Sequence, residues 1–280
     1  MSEPRPPAVA GAFYPDGGAG LAQAVEEAFL SPRGPGRLPV HRRAASRSIR
    51  AIVVPHAGYV YSGPIAALAY SAVAADAPAA AILVLGVDHS GLGPAAALSN
   101  RPWLTPLGTV PGDPQLVERL TRGPVVVEER AHRKEHSIEV QLPFIQYTEP
   151  KPVVVPLQIR TESFEGLEEI AKVVRDAVKD RDVLLVASTD FSHYVPAATA
   201  KRLDALALDR IVARDGPGLY DTVRRHDISM CGLAPTTVML RALADEPLTA
   251  RQLGWGHSGE AEPMADVVGY GAVVLEGTPT

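Results

Sequence analysis

A single cysteine, Cys231, stands in 280 residues, so no disulfide can form within the chain and nothing in the cysteine usage points to secretion. An excess of positive charge is missing as well. The formal net charge is −5, which supplies no basic field for nucleic acid. The one basic cluster, residues 41–50 (HRRAASRSIR), reads as a solvated linker rising into a strand. No apolar run is clean enough to span a bilayer, because the longest, residues 64–87, is broken by Asp76 and Pro78 and reads as a helix followed by a strand. Residues 1–7 lack the charged-then-apolar order of a secretory leader. A cytoplasmic chain with neither nucleic-acid nor membrane partner is the expectation. Absent too are a GxGxxG after a strand, a Walker A loop, HExxH and GxSxG.

What is present is an ordinary globular composition, 46% hydrophobic and 21% charged, at a length that suits one large α/β domain or two small ones. Apolar, β-branched runs at 51–54, 81–87, 153–157 and 183–187 show no polar alternation and read as strands covered on both faces. Amphipathic helices alternate with them. Leu21, Val25, Ala28 and Phe29 mark one, residues 164–178 another, and further helices are expected over 113–120, 198–213, 218–225 and 235–243. Pro64 is read as the first residue of a helix, and residues 135–145 as a helix kinked or ended near Pro143. Short strands are expected near 95–99 and 103–110, and two closing strands over 249–254 and 265–275. With no repeat, low-complexity linker or composition break, the expected architecture is one domain over residues 1–280. It is a layered α/β/α sandwich with a largely parallel or mixed central sheet.

Three of the buried runs lead into a histidine: His56 in VVPHAGY, His89 in LGVDHSG and His193 in STDFSHY. In a sheet whose central strands are parallel, all three fall on its carboxyl edge, where α/β folds bind ligands. Cys231 precedes a helix start, where the dipole favours a thiolate, although a lone cysteine is also a small apolar packing residue. His56, His89 and Cys231 together make a borderline-soft donor set suited to copper, iron or zinc. Their spacing, 33 and then 142 residues, requires a large fold to assemble it. Asp190 and His193 are candidates for acid–base work beside the metal, against the alternative of a hydrogen-bonded loop closure. Tyr59, His136 and His257 are candidates for lining the same pocket, whereas His132 and His226 read as solvated.

Several strings then carry a resemblance: GAFY at 11–14, PHAGYVYSG at 55–63, LG with His89, EHSIEVQLP at 135–143, Ser188 with Asp190, Phe191 and His193, and Cys231-Gly232 with Pro235. Together they resemble the Memo-like family, component B of the AmmeMemoRadiSam group, in order along nearly the whole chain. The resemblance implies a fold similar to class III extradiol non-haem iron dioxygenases. It also implies a metal held by His56, His89 and Cys231, with Asp190 and His193 beside it. Copper or iron redox handling, peptide binding, and a functional link to a radical SAM protein and an AMMECR-like protein are further implications. Where the ring-cleaving enzymes have a glutamate ligand this chain has Cys231, which puts ring cleavage by their mechanism in doubt. The leading expectation is a metal-dependent oxidoreductase of unknown substrate. The alternatives are a non-catalytic peptide-, metabolite- or copper-binding protein, and a metal-dependent hydrolase.

Overall fold

The computed structural model describes residues 3–41 and 46–278. In chain order its elements are α1 (Gly18–Leu30), β1 (Ile49–Val54), α2 (Tyr59–Ala75), β2 (Ala81–Val87), β3 (Ala96–Leu98), β4 (Trp103–Thr105), β5 (Gly108–Val110), α3 (Pro114–Leu120), β6 (Val125–Val127) and α4 (Glu129–His132). A 3-10 turn at Glu139–Gln141 leads to α5 (Leu142–Thr148), β7 (Val154–Ile159), α6 (Phe164–Val178), β8 (Val183–Ser188) and β9 (His193–Pro196). Then come α7 (Ala197–Val212), α8 (Gly216–Arg225), α9 (Leu233–Ala242), β10 (Thr249–His257) and β11 (Asp266–Glu276).

The main sheet runs β10-β11-β1-β8-β2-β7-β3-β6, with β9 attached to β11. Its centre, β1, β8, β2 and β7, is parallel. Antiparallel neighbours flank it, β11 against β1 and β3 against β7. The apolar runs are explained by burial on both faces. Within β1, Ala51 and Val53 belong to one core layer, while Ile52 and Val54 belong to the other. The first layer packs the sheet against α3, α6, α7, α8 and α9, the second against α1, α2 and α5. The fold is thus α/β, a mixed sheet between two helical layers. No helix among the described residues is long and apolar enough to cross a membrane.

Three expectations change. First, α2 begins at Tyr59, with Pro64 inside it. Proline lacks the N–H that would bond Val60 O, and Arg33 supplies the missing donor, Nη2 to Val60 O at 2.9 Å and Nη1 to Tyr61 O at 3.2 Å. Second, residues 135–138 form a loop, and α5 starts with Pro143 in its first turn, where a missing N–H costs nothing. Third, the basic stretch is not uniformly solvated. Arg47 is buried and ion-paired with Asp182, and Arg50 pairs with Glu246 at 2.9 Å. Residues 42–45 lie outside the described residues. Short β6, α4 and β9 had no periodicity long enough to announce them.

Candidate metal centre

The parallel strands β1, β8 and β2 deliver their following loops to one edge. Pro55 ends β1, and His56 follows it fully inside the protein. Its ring orientation is set by Ser188 at the end of β8. Ser188 Oγ donates to Ser137 O (2.6 Å) and accepts from Gln141 Nε2 (2.9 Å), so its remaining lone pair faces His56 Nδ1 at 2.9 Å. Nδ1 must therefore carry the proton, and Nε2 is left with its lone pair free. Burial, and then the neighbouring His136 and His89, push the His56 pKa well down, so the ring is neutral.

His89 is fixed by a different partner. Glu135 accepts its backbone N–H at 2.7 Å and its Nδ1–H at 2.9 Å, again leaving Nε2 free. Burial opposes charge on His89, but the bond to Glu135 and that group's charge outweigh it and raise the pKa overall. Glu135 shows the reciprocal effect: burial disfavours its charge, yet His89 holds the carboxyl down at about 2. The same carboxylate lies 3.5 Å from Nδ1 of His136 and accepts the N–H groups of His136 and Ser137. The His136 ring stacks on His89, 4.7 Å between centroids, and the Phe13 ring lies against it at 4.7 Å, tilted by 44°. Burial lowers its pKa. The Glu135 loop reaches β2 because Gly86 has no side chain: a Cβ there would overlap Ile138 and Ser137.

Phe13 is held there by Glu139, the second carboxylate of the EHSIE string. Glu139 is fully buried, ion-paired with Arg5, and accepts from Ala8 N (2.8 Å), Val9 N (3.0 Å) and Tyr14 OH (2.6 Å). Tyr59 N then donates to Phe13 O at 2.8 Å. The N-terminal segment is in this way strapped across the edge of the cleft.

Ligating nitrogens of His56, His89 and His136 all lie within 4.8 Å of one another. Cys231 Sγ is 3.1 Å from His56 Nε2 and accepts from Asp190 N at 3.2 Å, but it is not a member of that three-histidine group. The turn that carries it packs on β8 through Gly232, where a Cβ would overlap Thr189. The expected thiolate is corrected here. Burial of the sulfur, and then the nearby Asp190 carboxyl, push the thiol pKa far up, outweighing the backbone N–H groups at the turn. The group is a neutral thiol, with Sγ 3.1 Å from His56 Nε2 and Asp190 O as its acceptor at 3.6 Å.

Asp190 Oδ1 accepts from His56 N at 2.8 Å, and burial raises its pKa. His193 Nδ1 donates to Phe191 O (2.7 Å) and Ser229 O (2.8 Å), so Nε2 is the atom free to work. Both residues line an open cleft of about 510 Å³ together with His56, His89, His136, Phe13, Tyr61, Tyr194, Met264 and Tyr270. Tyr59 and His257 are not among its lining residues. The Tyr59 phenol is buried and bonds Val140 O at 2.7 Å, and His257 packs beside Trp255 and Glu260. His132, expected in solvent, is fully buried against Trp103, with Nε2 on Ala97 O at 3.1 Å. His226 is exposed.

The donor chemistry suits a transition metal. Three imidazoles present free nitrogens, two of them with their second nitrogen held by a hydroxyl or a carboxylate, the arrangement that orients metal-ligating histidines. A thiol adjoins them. The sequence had no signal for Tyr270. Ser188 and Gln141 stand in the strings that carry the resemblance, but the contact of Ser188 with His56 and of Gln141 with Ser188 was not readable. His136 was expected to line the pocket, while Glu135 was given no role.

Known proteins bear on this geometry. A family model described as Memo-like protein matches residues 5–274. A MEMO1 family protein of Methanopyrus kandleri is 37% identical over 279 residues, covering 97% of this chain and 98% of that protein. Another, from Methanocaldococcus jannaschii, is 35% identical over 289 residues, covering 99% and 100%. The crystal structure of an uncharacterized protein from Escherichia coli K12 is similar in fold, with a TM-score of 0.55 at 15% identity over 81% of this chain and 99% of that one. The strings that mark the resemblance and the full-length matches converge, and the chain belongs to the Memo-like family.

Proposed function

We propose that the cleft is a copper or iron centre and that the protein is a metal-dependent oxidoreductase acting on a small organic substrate. The observation that carries this reading is the convergence of ligating nitrogens of His56, His89 and His136 within 4.8 Å, with Cys231 Sγ 3.1 Å from His56. His56 and His89 are the core of the set, His136 adds a third nitrogen and Cys231 a sulfur. Such a nitrogen and sulfur set selects copper, iron or zinc over hard cations. The bound metal supplies one-electron chemistry and polarises what it contacts. A reducing compartment keeps the lone thiol available to it.

The chain's own groups supply the rest. His193, its Nδ1 fixed on two carbonyls, offers Nε2 as a proton acceptor. Asp190, with its pKa raised by burial, can hold a proton beside the metal donors. The rings of Phe13, Tyr61, Tyr194 and Tyr270 give the substrate flat apolar faces. Anaerobic purification with elemental analysis, followed by Cu(I) and Fe(II) titration, tests the reading. One equivalent of copper or iron is expected in the wild type and none in a His56→Ala, His89→Ala double variant. Uptake of zinc alone would end the redox assignment.

A further inference from the structure

Cys231, which is not among the lining residues of the histidine cleft, borders a second cavity, about 320 Å³, at the carboxyl ends of β2 and β7. Its floor is apolar, with buried Leu167, Val223 and Met230. Its rim carries exposed charge of both signs, Arg160 and Arg224 with Glu162 and Asp227. A concave site of roughly 300–1,000 Å³ with apolar walls and a few convergent polar groups is the usual form of a small-molecule pocket.

Two of the four rim charges, Arg160 and Asp227, carry no ion pair among the described residues, and the other two pair only with each other across an exposed contact. Arg160 gives one bond, Nη1 to Gly91 O at 2.7 Å, and has no ion pair among the described residues. Arg224 lies over the Tyr220 ring at 5.2 Å and reaches Glu162 only at 3.8 Å, both groups being exposed. Asp227 has no ion pair among the described residues, and its backbone is in the left-handed region, φ 49°, at the turn that ends α8. Asp88, the remaining acid of the lining, is already bonded within its own loop by Ser90 Oγ (2.6 Å) and Gly93 N (2.7 Å).

A simple anion would meet two carboxylates beside the two guanidiniums, and a simple cation the reverse. The geometry points to a zwitterion: we propose that this cavity binds a small α-amino acid with an apolar side chain. Its carboxylate takes the planar forks of Arg160 and Arg224. Its ammonium faces Asp227 and Glu162, and its side chain descends between Leu167, Val223 and Met230. None of these contacts requires a metal.

Calorimetric titration of the metal-free full chain with three probes tests this: L-leucine, 4-methylpentanoate, which lacks the ammonium, and 3-methylbutylamine, which lacks the carboxylate. L-Leucine is expected to bind one to one, and each truncated probe about tenfold more weakly or worse. Arg160→Gln should bring L-leucine down toward the amine, and Asp227→Asn toward the acid. Both are surface substitutions, and unchanged copper uptake shows that each variant is folded and that the metal site is independent. The proposal is overturned if L-leucine gives no saturable heat up to roughly 10 mM. It is equally overturned if 4-methylpentanoate binds as tightly as L-leucine, or if neither substitution changes L-leucine binding.

Discussion

The two edges of the sheet's parallel centre bury polar groups in different ways. At the amino edge, each charge meets its opposite or the backbone. Arg47 is paired with Asp182 and Arg50 with Glu246, while Asp76 accepts Ser48 N and Ile49 N at 2.8 and 2.7 Å. At the carboxyl edge, three imidazoles gather at an open cleft, two of them with one nitrogen bonded to the protein, and the Cys231 thiol lies beside His56 Nε2. Closure of hydrogen bonds describes a fastening. A donor set held rigid but left one bond short describes a place for something else to bind. The two carboxylates of EHSIE repeat the contrast within five residues: Glu139 is closed on all sides by the N-terminal segment, whereas Glu135 spends its bonds aiming histidines.

The largest effect expected from breaking this contrast is at Glu139. Glu139→Ala leaves Arg5 buried and unpaired, and should cost about 3–5 kcal/mol in urea unfolding, the range for removing one partner of a buried ion pair. Metal stoichiometry should persist, because Glu139 fastens the strap and donates nothing to the cleft.

Next comes acid. Burial, and then the positive charge of Arg5, lower the His132 pKa from its ordinary 6.5 to about 4. The folded state therefore resists a proton that the unfolded chain accepts. Its contribution is fully present above about pH 6.5 and is lost as pH falls toward 4, up to about 3 kcal/mol. Urea midpoints between pH 7 and 4.5 should fall more steeply in the wild type than in His132→Gln.

Ser188→Ala removes the acceptor that fixes the tautomer of His56. It should weaken copper binding about 10–100-fold, the usual cost of losing a residue that orients a ligand, with the circular dichroism spectrum unchanged. Glu246→Ala, at the opposite edge, should cost only about 1 kcal/mol, since its carboxylate and the Arg50 guanidinium it pairs with both reach solvent. A large loss there and a small one at Ser188 would erase the distinction between the edges.

Much of the layered fold was legible because burial on both faces leaves an unmistakable run, as in residues 81–87 and 183–187, and because α6 keeps a strict helical period. What escaped depended on distant partners. Nothing near Pro64 discloses that Arg33 will replace its missing bond. His132 sits among Arg130, Arg133 and Lys134, so its neighbours suggested solvent while Trp103, far along the chain, buries it. The helix-dipole argument for Cys231 was sound locally, but it could not weigh the desolvation that raises the thiol. Histidines after strand ends were readable from pattern alone. The pairing of His136 with His89 through one shared glutamate was not, because it exists only once β2 meets the loop before α5.

X-ray absorption at the copper K-edge of Cu(I)-loaded protein tests the central claim most directly. The account predicts a stoichiometric site whose first shell contains imidazole nitrogens at about 2.0 Å and a sulfur at about 2.3 Å, distances typical of such donors. It also predicts that the sulfur is lost in Cys231→Ser while the imidazole signature remains. A shell of oxygen scatterers without imidazole, or copper that fails to bind stoichiometrically, would contradict it.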